Sequence, residues 1–397
     1  MDLYDQPHYR TTKNFAILIG RWPYQSPFQS VIILVVIWTA FILQAIPQTI
    51  AIIKHYDNRA ILLECLPAYA MDIVMAIKYI NLIYNAETIK RLFELMREDW
   101  ELLKNEEEKR ILQYHTDIGR LLASVYAGFA FTTTGMFVME PVLPRIINKI
   151  IKSNETVPLK FALPLEYIFF EKEDHYWPML TITNIFAVNM IVVIISCDVI
   201  FITCIQHVCG IFAVIGFRIE RSPTGGARLK DKYGVSVKSN LQDPTYKHLV
   251  SCIRIHKRAF YLADILEETF TQSFGVVVAL NLPLMSITGL QLITQSNTVE
   301  QTIKFALFAA AQMMHLFFDC FLSQNLTDMS IEIQQCISNV KWYKSSKESQ
   351  KILLLMLMRS QVPCKVTAAK IMELSIENFG NMVKTSGSYF TMLLSMQ

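Results

Sequence analysis

Long apolar stretches alternate with charged ones along the whole chain. Trp22–Ile53, Leu121–Met139, Pro178–Cys197 and Thr269–Val299 each run without one acidic or basic side chain. A bilayer span needs about 20 predominantly apolar residues, so these runs predict membrane-crossing helices. With weaker stretches added, the pattern predicts seven spans, near residues 30–53, 63–84, 121–143, 179–206, 269–293, 303–324 and 368–395. The fourth apolar stretch continues to Phe217, which predicts a helix protruding from the bilayer.

Between the spans the period changes. Ile89, Leu92, Phe93, Met96, Trp100, Leu103 and Ile111 recur at three-to-four spacing, so 85–119 reads as an amphipathic continuation of span 2. The acid run in ELLKNEEEKR reads as its solvated face. Residues 328–360, with Ile331, Ile333, Cys336, Val340 and the run ILLLMLM at 352–358, read as further helices that pack on other helices. The expected organisation is a bundle with its N-terminal segment over 1–324, anchor helices over 325–366 and span 7 over 367–397. The fold class is all-α, a seven-helix membrane protein.

Composition agrees. Hydrophobic residues make up 52% of the 397, and charged ones 18%, against about 25% in soluble domains. Lysine and arginine set the direction. With the N-terminus inside, the inner segments hold twenty-five of them and the outer segments seven, which are Lys54, Arg59, Arg145, Lys149, Lys152, Lys160 and Lys172. The positive-inside rule therefore predicts a cytoplasmic N-terminus and an extracellular C-terminus. A G-protein-coupled receptor has the opposite orientation. The start, MDLYDQPHYRTTKNF, has no apolar core of a signal peptide, so the first span is expected to act as its own anchor. The sequon at Asn154 falls outside and is a candidate for glycosylation, and the one at Asn325 falls at the inner end of span 6.

Candidate chemistry is sparse. No P-loop, GxGxxG, HExxH or GxSxG occurs, and the eight cysteines form no CxxC pair. His207 and His315 read as hydrogen-bonded helix residues rather than metal ligands. No enzyme, cofactor, metal or nucleic-acid partner is implied. Ionisable residues inside spans stand out because each costs roughly 2.5–3.5 kcal/mol at a span centre. Asp72 and Lys78 are six apart on span 2, so each is expected to face another helix or water. Asp198 and Asp319 are accounted for by snorkelling or by a cytosolic extension. Lys384 on span 7 is tolerable if that helix lines water. Thr385, Ser388, Met392 and Ser395 share one face of that helix, beside Met396. Such a stripe fits a pore or a tight helix–helix contact equally well.

The C-terminal third resembles the insect odorant receptor family, in the style of its hymenopteran branch. The resemblance rests on FFDCFLSQNLTDMSIEI, the SNVKWY block with Trp342 and Tyr343, KESQKILLLMLMRSQVPCKVTA and LSIENFGNMVKTSGSYFTML. It implies a ligand-gated, non-selective cation channel in the plasma membrane of olfactory neuron dendrites. It also implies a heterotetramer with a shared co-receptor, a pore lined by span 7, and small volatile or lipid-like odorants as ligands. On the shared Tyr-Phe pair, Met392 is similar to the hydrophobic gate position. Ser395 stands where the co-receptor has glutamine, and Met396 where it has leucine. Lys384 and Ser388 lie on the same pore face. The short loop 218–262 resembles that of a tuning subunit. Ligand positions carried over from the family are Tyr69, Ile73, Thr133, Met136, Phe137, Phe186, Met190, Asn281, Met285, Phe305 and Phe308. A related gustatory-type homomeric channel is the alternative, followed by a G-protein-coupled receptor or a transporter.

Overall fold

The computed structural model describes residues 3–151, 161, 165–166, 175–222, 244–294 and 298–396. Asn154 lies outside these residues. Eleven α-helices are described: α1 Pro7–Leu18, α2 Pro27–Lys54, α3 Arg59–Tyr84, α4 Ala86–Leu102, α5 Glu106–Met139, α6 Leu143–Ile151, α7 Tyr176–Glu220, α8 Pro244–Thr294, α9 Val299–Asn339, α10 Lys347–Ser360 and α11 Ile376–Ser395. By length and composition, α2, α5, α7, α8 and α9 can cross a membrane. The helices α3 and α11 run beside them, α3 against α2, α7 and α8, and α11 against α8 and α9. These seven helices correspond to the seven expected spans.

The core is organised around α7, which packs on α1, α2, α3, α5, α8 and α9. From Val193 to Gly216 every residue but Ala213 is buried. A helix that is apolar all round belongs in the centre of a bundle, and the sequence of α7 meets that condition. At 45 residues it also runs well past the thickness of a bilayer, as expected from the apolar tail to Phe217.

Two boundaries differ from expectation. Residues 85–119 form two helices rather than one. The chain breaks at 103–105, and Asn105 caps α5 by accepting a hydrogen bond from the Glu107 amide at 3.0 Å. The acids that follow do not form a solvated face throughout. Glu108 makes a two-pronged pair with Arg218 at 2.8 and 2.6 Å, and Glu107 pairs with Arg221, so the start of α5 is tied to the end of α7.

The second difference lies before α11. Span 7 is expected from about 368, but Thr367–Ala368 and Met372–Glu373 form a small antiparallel hairpin, and α11 starts at Ile376 under a Ser375 cap. Ala369 and Lys370 at the hairpin turn have φ of 53° and 58°, a conformation that costs a non-glycine residue about 1–2 kcal/mol. The surroundings hold it in place. The Ala369 amide donates to the Thr271 carbonyl at 2.8 Å, and Thr367 donates to Glu267 at 2.6 Å. Gly275 of α8 makes room, because a Cβ there would lie 2.5 Å from that of Ala369.

The described cysteines are all unpaired thiols. Asn325 sits within α9, its side chain partly buried with its amide 3.7 Å from Cys209.

Candidate functional site

Six helices and the α5–α6 connection line a cavity of about 630 Å³ at one end of the bundle. Its walls come from the C-terminal half of α2, the N-terminal halves of α3, α7 and α9, and the C-terminal end of α5, with Gln291 added from α8. The apolar lining follows from helices whose inward stripes meet no partner at this level. Size and character fit a small organic molecule.

Of the ligand positions expected from sequence, Thr133, Met136, Phe137, Met190, Phe305 and Phe308 come together on this wall. Tyr69, Ile73, Phe186, Asn281 and Met285 do not line it. Tyr69, Ile73 and Phe186 are half-buried on neighbouring helix faces. Asn281 is buried and donates to the Val277 carbonyl one turn back at 2.8 Å, and Met285 packs against the core. Helix phase explains the misses, since a span assignment accurate to a few residues cannot tell which face turns inward.

Sequence reasoning missed the polar members of the wall. Gln44, Glu64, Asp72, Glu140, Gln291 and Lys304 all line the cavity. Lys304 and Glu64 pair at 2.9 Å. Asp72 is buried, and both of its carboxylate oxygens face the amide of Gln44 at the long distances of 3.4 and 3.5 Å. Gln291 donates to the Leu63 carbonyl at 2.7 Å, while its Oε1 has no hydrogen-bond partner among the described residues. The one available signal was Asp72 itself, an ionisable residue within a span.

A second polar layer lies below the cavity, about 10 Å along α7 from Ile191 at 1.5 Å per residue. Lys78 pairs with Asp198 and lies 2.7 Å from His315 Nε2. Tyr126 donates to the other oxygen of Asp198 at 2.5 Å, and Asp319 lies 3.9 Å from both Lys78 and His315. All five are buried. Snorkelling therefore does not explain Asp198 and Asp319, and Lys78 faces helices rather than water. Nor is His315 isolated, because Asp319 follows it by four residues on the same helix face. Asp198, His315 and Asp319 have the composition of a metal site, but the Lys78 ammonium occupies the position that a cation would take.

On α11 the residues expected to line a pore, Lys384, Ser388, Met392, Ser395 and Met396, are all exposed in the single chain, Met392 to 57%. The opposite face is fixed to α8. Ser286 donates to the Ser386 carbonyl at 2.9 Å, and Ser386 donates to that of Leu282 at 3.1 Å.

The opposite end of the bundle is tied together by hydrogen bonds. His207 of α7 meets Tyr9 of α1 at 3.1 Å and Asp99 of α4 at 3.1 Å, and Arg258 of α8 pairs with Asp99 and with Glu98. This agrees with the reading of His207 as a hydrogen-bonded helix residue.

Comparison with known proteins bears on this arrangement. The profile of the 7tm odorant receptor family matches residues 60–387. Odorant receptor 22c of Drosophila melanogaster is 21% identical, over 97% of this chain and 96% of its own. Odorant receptor Or2 of Anopheles gambiae is 22% identical, over 79% and 78%. The solved structure of the insect olfactory receptor OR5 from Machilis hrabei in complex with eugenol superposes with a TM-score of 0.79 at 14% identity, covering 98% of this chain and 97% of that one.

Proposed function

Because the chain belongs to the odorant receptor family, we propose that it works as the odour-tuning subunit of a ligand-gated, non-selective cation channel. The observation that carries this reading is the exposed polar face of α11. Lys384, Thr385 and Ser388 lie on it, and Lys384 has no ion-pair partner among the described residues. Lipid is a poor neighbour for such a face, and a water-filled pore shared with other subunits satisfies it. The N-terminus lies in the cytoplasm and the C-terminus outside, following the lysine and arginine bias. The assembly is a heterotetramer with the odorant receptor co-receptor, in the plasma membrane of olfactory neuron dendrites, with α11 facing the central axis and the other span faces against lipid.

The cavity takes the odorant. A small molecule seated there contacts α3, α5, α7 and α9 at once, so a ligand that fits their open-state packing better than the closed one shifts the population toward open. The shift reaches α11 through α8, to which Ser386 and the hairpin are bonded. Met392 closes the pore and Ser395 and Met396 form its mouth.

Whole-cell current in cells expressing the chain with and without the co-receptor tests this reading. Odour-evoked cation current only with the co-receptor is the expected result. Current from the chain alone would instead mark a homomeric, gustatory-type channel.

A further inference from the structure

The cavity wall is mismatched in a specific way: its acceptors outnumber its donors. Asp72 is 2% exposed and meets the side-chain amides of Gln44 and Gln48, the former at 3.4 and 3.5 Å, too long for a strong bond. No ion pair to Asp72 occurs among the described residues. Gln291 Oε1 on the same cavity wall has no donor among the described residues. The candidate donors are spent elsewhere. Lys304 is held by Glu64. The hydroxyls of Thr132, Thr133 and Thr134 donate to carbonyls of their own helix at 2.8–3.2 Å. Buried acceptors left unsatisfied carry their full desolvation cost, and a buried carboxylate carries more. The charges point the same way, since Lys304 is paired with Glu64 and no ion pair to Asp72 occurs among the described residues.

We infer that this receptor is tuned to protonated amines, with Asp72 holding the ammonium group and the apolar wall of Met136, Phe137, Met190, Phe305 and Phe308 holding the hydrocarbon part. An ammonium group brings three donors and one positive charge to a wall whose lysine, Lys304, is already held by Glu64. A neutral alcohol supplies one donor and no charge, and a hydrocarbon supplies neither. The inference rests on the reading of this cavity as the odorant site and adds the chemical class of ligand.

The test uses the full chain in lipid nanodiscs and three straight-chain probes of matched length: octylamine, octanol and nonane. Thermal unfolding reads binding whether or not a channel opens. Octylamine is expected to raise the Tm at concentrations about tenfold to a hundredfold below those needed for octanol, and Asp72→Asn is expected to abolish that advantage. Equal effects of octylamine and octanol on the unsubstituted chain, or no effect of any probe, would overturn the inference without need of a variant. So would an amine preference that survives in Asp72→Asn. Currents recorded in parallel with the co-receptor separate the two ideas. A Tm rise with octylamine and no current supports the amine site and counts against the channel reading. Current with octanol and nonane but no amine preference does the reverse.

Discussion

Lys78 of α3 and Asp198 of α7, far apart in sequence, form an ion pair in the middle of the bundle. Both are almost fully buried. Tyr126 and His315 complete their hydrogen bonds, which makes such a pair tolerable in a low-dielectric interior. Removing Asp198 leaves the Lys78 ammonium buried with only the more distant Asp319 carboxylate, at 3.9 Å. Asp198→Leu is therefore expected to lower stability by about 3–5 kcal/mol, seen as loss of correctly folded protein at the surface and a lower Tm. Lys78→Met combined with Asp198→Leu should cost about 1–3 kcal/mol less than the sum of the single changes. Additive losses would mean that the two charges are not coupled.

The hairpin before α11 depends on a glycine in another helix. In Gly275→Ala the new methyl group would meet the Ala369 side chain at 2.5 Å and its backbone nitrogen at 3.1 Å. The strand turn would have to move, and its hydrogen bond to Thr271 with it. A loss of about 1–3 kcal/mol is expected, read by thermal unfolding. Ala369→Gly should recover part of it, since it removes the clashing methyl and relieves a residue at φ 53°. If the double variant is no better than Gly275→Ala, the close approach is not the cause.

His256 lies on α8 before the span, buried between Phe212 and Phe260. Burial lowers its pKa from 6.5 to about 4, with a further push from the Arg359 guanidinium. The folded state thus holds the ring neutral, and the unfolded state takes up the proton first as pH falls. Stability from this residue is complete above about 6.5 and is lost at about 1.4 kcal/mol per unit between there and about 4. Thermal unfolding of the purified chain across that range should show the decline, and His256→Phe should flatten it. An unchanged slope in the variant would assign the acid sensitivity to other groups.

Met392 is exposed on α11 in the isolated chain. If four such helices meet, its side chain closes the aqueous path by dewetting. Met392→Ser is expected to pass current without odorant in the assembled channel. A normal resting baseline with normal surface delivery would remove Met392 as the gate.

Much of the fold could be read from sequence because the signals are long. The long apolar stretch from Pro178 to Phe217, interrupted by few polar residues such as Asp198 and His207, announces a central helix, and the three-to-four spacing of Ile89, Leu92, Phe93 and Met96 announces α4. The break at 103–105 was harder, because the Asn105 cap is one residue in a continuously polar stretch. The hairpin was hidden because Thr367–Glu373 is short, and what holds it is tertiary: Thr271 and the gap at Gly275. For the site, apolar positions on α5 and α9 could be placed, since those helix ends turn most of their residues toward the cavity. Helix phase defeated the assignment of Tyr69, Phe186 and Asn281. The polar wall was missed for a different reason. Asp72, Lys78 and Asp198 were each visible as anomalies, but a sequence does not show that Lys78 and Asp198 meet while Asp72 is left to the glutamine amides of α2.

The unbroken helix α7 has a consequence for mutational tolerance. Met190 and Ile191 face the cavity, and from Val193 onward the same helix is enclosed by neighbours. A receptor can change its chemistry by exchanging Ala187, Met190 or Ile191, because these side chains end at empty space that absorbs differences in volume. Two residues later the same exchange would have to displace packed side chains on several helices. Substitution at Ala187, Met190 or Ile191 should therefore alter odour preference, and the same change between Val193 and Gly216 should cost the protein its fold, with a sharp boundary rather than a gradient.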